Sequence, residues 1–286
     1  MENINNCNIC KSYDATTLHN ENGFIYSICK SCGHVYQSDR SSKEFYLSLP
    51  YTVAQVKVTN VRPLAYDIHA NNRGTYIYDF IKDYIKPLNC NSILDIGSGF
   101  GGVTYYLGKL IKAKKILGVT PDYNSKTFTQ YDGIDFIKSA YGTSVKGHYD
   151  LIIMSHVLEH FISPIVALKN ARKNISNHGL LYIEVPSFQW EGIRHQPIFT
   201  PIHLSYFSKK SLENIIEHAG FRILKMKESK YWGSIKIVAV SSDLKNQIVK
   251  NKENWIFKII TWKLKKYFVY CIIKLCGKFM NIKHND

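Results

Sequence analysis

The stretch Ile93-Leu-Asp-Ile-Gly-Ser-Gly-Phe-Gly101 decides the fold of this chain. Apolar residues flank Asp95, and glycines then occupy positions 97, 99 and 101. This pattern predicts a buried parallel strand that breaks into a turn and then into a helix, because glycine permits sharp turns and close approach of a ligand. A P-loop would need Gly-Lys-Ser/Thr, and that pattern is not present in this stretch.

Strands and helices are predicted to alternate around this turn. Further strands are expected at 116–120, 150–156, 179–186, 221–227 and 234–241. Helices are expected at 74–86, directly after the glycines, around 158–161 and at 208–219, with a long loop over 187–204. This order predicts an α/β fold with a doubly wound, mostly parallel seven-stranded sheet, whose ligands bind outside the carboxyl ends of the strands.

The glycine turn resembles motif I of the class I S-adenosylmethionine-dependent methyltransferases. The segment Ser155-His-Val-Leu-Glu-His160 resembles the part of those enzymes that lies under the cofactor sulfonium. The resemblance implies a Rossmann-like methyltransferase domain over 74–242 with S-adenosyl-L-methionine as cofactor. It also implies these cofactor-binding residues: Asp95, Gly97, Ser98, Gly99, Gly101, Thr120, Asp122 and His156. The family normally ends its second strand in an acid that binds both ribose hydroxyls, whereas Thr120 stands there in this chain, followed two residues later by Asp122.

The loop Ile202-His-Leu-Ser-Tyr-Phe-Ser208 resembles the Glu-His-Leu-Ser-Tyr-Phe-Ser segment of the deoxysugar methyltransferases. In that sugar-modifying branch the histidine is a catalytic candidate, which implies His203 here, with His156 and Tyr206 as further candidates. Ile202 replaces the glutamate of that branch, so oxygen methylation, which needs one base, is favoured over carbon methylation. A histidine can accept the proton that a hydroxyl loses during methyl transfer. The alternative for His203 is a capping or packing role.

Three more residues are candidates for binding the methyl acceptor. Arg194 and His195 lie on the loop before His203 and could hold an anionic group such as a sugar phosphate, or could be solvated loop charges. His160 is the third candidate, with a purely structural role as its alternative. The chain lacks the Asn/Asp-Pro-Pro-Tyr/Phe tetrad of enzymes that methylate nucleobase or amide nitrogens.

Two Cys-x-x-Cys pairs lie near the amino terminus, with eighteen residues between them, at Cys7, Cys10, Cys29 and Cys32. Each pair can present two thiolates from one tight turn, and two such turns complete a tetrahedral structural Zn²⁺ site. We therefore expect a zinc-knuckle module over 1–40 and a connector over 41–73, the alternative being four reduced cysteines. The deoxysugar branch likewise carries zinc knuckles that end in Cys-x-x-Cys-Gly, as Cys29 to Gly33 does.

The positive charge of the chain is concentrated at its carboxyl end. The formal net charge is +15, and residues 250–286 contain nine lysines against two acids. Wound as a helix, the tail at 243–286 has one lysine-free apolar face. It is expected to bind an anionic membrane surface, or alternatively to dock on the domain or on a second subunit. The chain shows no signal peptide and no apolar run of 18 residues, which predicts a cytoplasmic protein, peripheral on the inner face of the cytoplasmic membrane.

These observations lead to one functional hypothesis and two alternatives. The hypothesis is an S-adenosylmethionine-dependent methyltransferase that O-methylates a sugar, a nucleotide sugar or a lipid-linked glycan in a surface-polysaccharide pathway, with His203 as general base. An RNA methyltransferase is one alternative, although nucleic acid is not the expected partner because the charge is concentrated in the tail. A cofactor-binding scaffold without catalysis is the other, suggested by Thr120.

Overall fold

A computed structural model provides the structure of this chain. It describes residues 2–3, 6–21, 23–40, 64–121, 131–139, 141, 145–188, 199–228, 233–243, 260 and 264. The predicted tail therefore lies almost entirely outside the described residues. Ile260 and Leu264, its two described members beyond residue 243, are exposed. Among the described residues, no helix is both long enough and apolar enough to cross a membrane.

The amino-terminal residues form a small β-module. Its strands are β1 (Glu2–Asn3), β2 (Ala15–Glu21), β3 (Phe24–Cys29), β4 (Val35–Gln37) and β5 (Asp39–Arg40). Strands β2, β3 and β4 form an antiparallel sheet, and β1 pairs with β5. Tyr26, Ile28 and Val35 are buried on this sheet, as expected for aromatic and β-branched residues on a pleated surface.

The larger part of the chain is built around a seven-stranded sheet. Its elements, in chain order, are α1 (Leu64–Ile85), β6 (Ser92–Ile96), α2 (Gly102–Ile111), β7 (Lys115–Thr120), β8 (Asp135–Lys138), β9 (Tyr149–Ser155), α3 (Pro164–Asn174), β10 (Ile175–Pro186), β11 (Ser205–Tyr206), α4 (Lys209–His218), β12 (Phe221–Glu228) and β13 (Ser234–Ser241). The strand order is β12-β13-β10-β9-β6-β7-β8, with only β13 antiparallel to its neighbours. This arrangement confirms the predicted doubly wound, mostly parallel seven-stranded fold.

The order of the strands fixes where a ligand can bind. From β6 the chain moves outward to β7 and β8, and it then crosses back to β9 on the other side of β6. In such sheets ligands bind at this switch point, outside the carboxyl ends of the strands. Asp95, which pairs with Gly118 on one side and Ile153 on the other, lies at that edge.

Both faces of the sheet are covered, which explains the continuous apolar runs of the inner strands. One face packs Ile77 and Ile81 of α1 against Ile93 and Ile153. The opposite face joins strand residues to α3 and α4, where the buried side chains include Leu94, Ile152, Leu168, Leu212 and Ile215.

Three predicted elements differ in the structure. The first helix begins at Leu64 rather than 74, because its amino-terminal turns carry polar residues and lack the apolar periodicity used to predict it. The helix expected around 158–161 is one 3-10 turn, Leu158–His160, and α3 begins only at Pro164, whose fixed φ suits the first helical position. The edge strand β8 was not predicted, since its residues are at most half-buried and form no apolar run.

Candidate functional site

The four amino-terminal cysteines come together as predicted. Their sulfur atoms all lie within 4.8 Å of one another, with Sγ to Sγ distances of 3.7 Å for Cys7 and Cys32 and 3.5 Å for Cys10 and Cys29. A tetrahedral zinc ion with Zn–S bonds of about 2.3 Å would place its sulfurs about 3.8 Å apart. The cysteines therefore fit a zinc ion without rearrangement.

The two cysteine pairs adopt the same turn. In each pair the residue after the second cysteine has a left-handed backbone, with φ of 60° at Lys11 and 70° at Gly33. The N–H of that residue donates to the carbonyl of the first cysteine, at 3.0 Å for Lys11 to Cys7 and 2.8 Å for Gly33 to Cys29. The two cysteine pairs therefore share one turn geometry, of the kind expected for a zinc knuckle.

The glycine turn after β6 is held by β7 and packed from two sides. The N–H groups of Gly97 and Ser98 both donate to the carbonyl of Val119, at 2.7 and 3.3 Å. At Gly97, where φ is +78°, a Cβ would lie 2.5 Å from a methyl of Val157. At Gly99, where φ is +52°, a Cβ would meet no atom within 4 Å. The turn thus packs closely at Gly97 and leaves open space beside Gly99, as a cradle for a ligand requires.

Two predicted cofactor residues are buried beside this turn. The Asp95 carboxylate accepts a hydrogen bond from the Thr104 hydroxyl and so ties the end of β6 to α2. Burial raises the pKa of Asp95 to about 6, while the Thr104 hydrogen bond opposes that rise. Thr120, at the end of β7, is also buried, and its carbonyl accepts a hydrogen bond from Ser139 N–H. Asp122 lies outside the described residues.

His156 occupies the end of β9 with a left-handed backbone, φ 52°. Its ring lies between two carboxylates, with Nδ1 3.7 Å from Glu159 Oε1 and Nε2 3.8 Å from Glu184 Oε1. Desolvation would lower the pKa of His156, but its interactions with Glu159 and Glu184 outweigh that effect and raise the pKa to about 9. At neutral pH this ring is therefore an imidazolium.

Glu184 and Arg73 form a buried charge network that the sequence reasoning missed. Glu184 is fully buried at the end of β10, and Arg73 of α1 donates to its oxygens at 2.7 and 3.4 Å. Tyr182 and Ser234 add hydroxyl donors at 2.8 and 2.9 Å. Despite the desolvation cost, His156 and Arg73 hold the pKa of Glu184 far below its usual value. A glutamate inside the apolar run Leu-Leu-Tyr-Ile-Glu-Val was the available signal.

A second carboxylate, Glu159, faces three histidines. Its side chain is 2% exposed, and neither oxygen has a hydrogen-bond partner among the residues that the structure describes. His160 Nε2 lies 3.8 Å from Glu159 Oε1, and His160 Nδ1 lies 2.8 Å from the carbonyl of Ile202. The rings of His160 and His203 pack edge to face, with centroids 4.9 Å apart. All three histidines were predicted to be site residues from the sequence, whereas Glu159 at their centre was given a structural role.

His203 differs from His156 in its charge. Burial lowers the pKa of His203 to about 4, since the attraction of Glu159 only partly offsets desolvation and the neighbouring histidines. Its ring is therefore neutral at pH 7 and can accept a proton. His156, His160 and His203 together form what we call the histidine wall. The packing of Val157 on Gly97 joins this wall to the glycine turn.

Tyr206, a further predicted catalytic residue, borders this wall, since its ring packs edge to face with that of His203 at a centroid distance of 6.0 Å. Tyr206 is buried in an aromatic cluster with Tyr26 and Phe199. Its hydroxyl accepts a hydrogen bond from Thr200 N–H and donates to Thr200 O, at 2.9 and 3.1 Å. These contacts hold Tyr206 in place beside His203, and its catalytic role stays a prediction. Arg194 and His195 lie outside the described residues.

Solved structures resemble this fold at low sequence identity. The plantazolicin methyltransferase BpumL, solved with a substrate analogue and SAH, gives a TM-score of 0.50 and 17% identity over 62% of this chain and 88% of its own. S-adenosylmethionine-dependent methyltransferases from Listeria monocytogenes and Clostridium acetobutylicum give 0.47 and 0.46, at 16% and 12% identity. These two matches cover 58% and 59% of this chain, and 98% and 90% of their own. No curated protein matches the chain.

A family model described as a methyltransferase domain matches residues 69–226. The match spans more than half of the chain and includes the glycine turn, all three residues of the histidine wall, and Glu184. It confirms the predicted enzyme class, and it agrees with the seven-stranded fold shared with S-adenosylmethionine-dependent methyltransferases. The chain therefore belongs to this methyltransferase domain family.

Proposed function

We propose that this enzyme transfers the methyl group of S-adenosylmethionine to a hydroxyl group of a sugar, a nucleotide sugar or a lipid-linked glycan. One observation carries the proposal: a glycine turn suited to a cofactor adjoins a wall that contains a neutral histidine beside a buried carboxylate. The first part supports a bound methyl donor, and the second supports an acceptor that must lose a proton.

The residues around the glycine turn fit the cofactor. Open space beside Gly99 lets a ligand approach the backbone, and buried Asp95 and Thr120 end the two adjacent strands at the same edge. When bound, S-adenosylmethionine supplies the methyl group and the sulfur leaving group. The formal charges of Arg73, His156, Glu159 and Glu184 balance, so this neighbourhood adds no net positive charge against a sulfonium.

His156 and His203 have different roles in this proposal. His156 already carries its proton at neutral pH, so it can donate a hydrogen bond but cannot act as the base. His203 is neutral and can take the hydroxyl proton as the oxygen–methyl bond forms and the methyl–sulfur bond breaks. The Glu159 carboxylate then faces the new imidazolium, which lowers the cost of its charge in a buried place. General base catalysis of this kind contributes about 10² to 10⁴-fold.

The sugar class of the acceptor rests on the loop around His203. Its likeness to the deoxysugar branch supports a sugar, and Ile202 in place of the glutamate supports oxygen rather than carbon as the methylated atom. Arg194 and His195 are proposed to bind an anionic group of that acceptor. The lysine-rich tail is proposed to hold the enzyme at an anionic membrane surface in the cytoplasm, where a lipid-linked glycan would be presented. The cysteine module is proposed to bind structural zinc.

Titration calorimetry with S-adenosylhomocysteine tests the cofactor proposal, because absence of binding would rule out methyl transfer from S-adenosylmethionine. Turnover is then compared between nucleotide sugars, lipid-linked glycans and RNA, and methylation of RNA alone would replace the sugar proposal. We expect His203→Gln to keep the affinity for S-adenosylhomocysteine and to lose about 10²-fold or more in kcat.

The matched control is His218→Gln, which changes a histidine at the end of α4. Full turnover by His203→Gln would refute the base assignment. Glu159, His160 and His203 also have ligand types that hold metal ions. Activation of the enzyme by added Mn²⁺ or Mg²⁺ that is lost in Glu159→Gln would indicate a metal site and would also refute the assignment of His203 as the base.

A further inference from the structure

We propose that the cysteine module positions His203. The conformation of its two cysteine turns would then affect the rate of methyl transfer, whereas the affinity for the cofactor would depend on the glycine turn. This inference rests on the proposed function, in which His203 receives the proton of the acceptor. It assigns a positioning role to Asn8, which lies inside the first Cys-x-x-Cys pair.

The strand that follows His203 belongs to the sheet of the module. Strand β11 pairs with β4, with Ser205 opposite Tyr36 and Tyr206 opposite Val35. The N–H of Gln37 also donates to the carbonyl of Leu204 at 3.2 Å. The module sheet, β11-β4-β3-β2, is therefore completed by a segment that begins two residues after His203.

Both cysteine turns reach this same segment. Asn8, between Cys7 and Cys10, donates from Nδ2 to Ser205 Oγ at 3.1 Å, and both side chains are buried. His34 follows the second turn, and its ring centroid lies 5.3 Å from that of Phe207. The conformation of the metal-binding turns is thus transmitted by direct contacts to the residues after His203.

On its other side the segment is fixed to the site. The N–H of Leu204 donates to the carbonyl of Glu159 at 2.9 Å, and the Ile202 carbonyl lies 2.8 Å from His160 Nδ1. His203 is therefore held between the module and the 3-10 turn that carries Glu159 and His160. The glycine turn takes its own support from β7, through the carbonyl of Val119. Loosening the module should displace His203 and leave the cofactor cradle in place.

Small displacements of a catalytic group have large kinetic effects, because misplacement by about 1 Å can cost about 10²-fold in rate. Among the described residues of the module, Asn8 is the only one whose side chain donates a hydrogen bond to Ser205 Oγ, and Asn8→Ala removes this bond. It leaves all four cysteines unchanged. We therefore expect it to lower kcat about tenfold, with the zinc content and the affinity for S-adenosylhomocysteine within about twofold of wild type.

The test uses the full chain with Asn8→Ala, Ser205→Ala and the double variant. Asn20→Ala is the matched control, since Asn20 is an exposed residue of the same module. Zinc stoichiometry, calorimetry with S-adenosylhomocysteine, kcat with KM, and hydrogen exchange of the amides over 200–207 are measured. Faster exchange and lower kcat in Asn8→Ala, with no further loss in the double variant, would support the proposal.

Three results would overturn it. Asn8→Ala could match Asn20→Ala in exchange and kcat, or its cofactor affinity could fall in step with kcat, which would indicate general destabilisation. Removal of zinc by a chelator could also leave exchange over 200–207 unchanged. Hydrogen exchange and cofactor affinity can be measured without the methyl acceptor. If only the sugar proposal were wrong, turnover would be absent, but the expected effects on exchange and on cofactor affinity would still be observed.

Discussion

Replacing Arg73 by methionine would leave the Glu184 carboxylate buried without its main cationic partner. Glu184 is fully buried, and Arg73 donates to both of its oxygens at 2.7 and 3.4 Å. Removing one member of a buried pair costs about 3–5 kcal/mol, because the other charge stays desolvated. Tyr182 and Ser234 continue to donate to Glu184, and His156 Nε2 remains 3.8 Å from its Oε1, so we expect a loss near the lower limit, about 3 kcal/mol.

Urea unfolding of the full chain, followed by far-ultraviolet circular dichroism, measures this loss. The matched control is Lys82→Met, which breaks the exposed ion pair with Asp79 at 3.0 Å in the same helix, and we expect no measurable change from it. The double variant Arg73→Met with Glu184→Gln should recover part of the stability, because no buried charge is then left unpaired.

The pH dependence provides an independent check on the same pair. The folded pKa of Glu184 is lowered, so its contribution is present above the unfolded value of about 4.3 and is lost as the pH falls toward the folded value. In Arg73→Met the folded pKa of Glu184 rises, because only His156 remains as a cationic partner, and protonation at low pH removes the poorly compensated charge. The difference from wild type should therefore shrink below about pH 4. Equal stability of Arg73→Met and Lys82→Met at pH 7 would refute this reasoning.

Three further predictions follow from the site. Gly97→Ala should lower the thermal unfolding temperature far more than Gly99→Ala, because both have positive φ but only Gly97 would place a Cβ 2.5 Å from Val157; equal effects would contradict the packing argument. The pKa of His156 is raised to about 9, so its stabilising contribution should be full below about pH 6.5 and lost as pH rises to about 9. Thermal unfolding should therefore lose this pH dependence in His156→Gln. Cys29→Ser should lower the bound zinc, measured by atomic absorption, below one ion per chain, and unchanged stoichiometry would exclude the four-cysteine site.

The sequence determined the features whose geometry is set by adjacent residues. Glycines at alternate positions after an apolar strand specify a turn, since positive φ values at 97, 99 and 101 need no partner elsewhere in the chain. The Cys-x-x-Cys spacing specifies two knuckle turns for the same reason. The alternation of strands and helices was enough to predict the sheet, because each buried strand is an apolar run.

Tertiary structure decided which distant residues meet. Arg73 reaches Glu184 across 111 positions, and Asn8 reaches Ser205 across 197. No local pattern encodes such pairs, because the crossover of the sheet and the pairing of β11 with β4 bring them together. The glycine turn at 93–101 could therefore be predicted from the amino-acid sequence alone. The carboxylates that give His156 its charge, and the burial that keeps His203 neutral, became visible only in the folded structure.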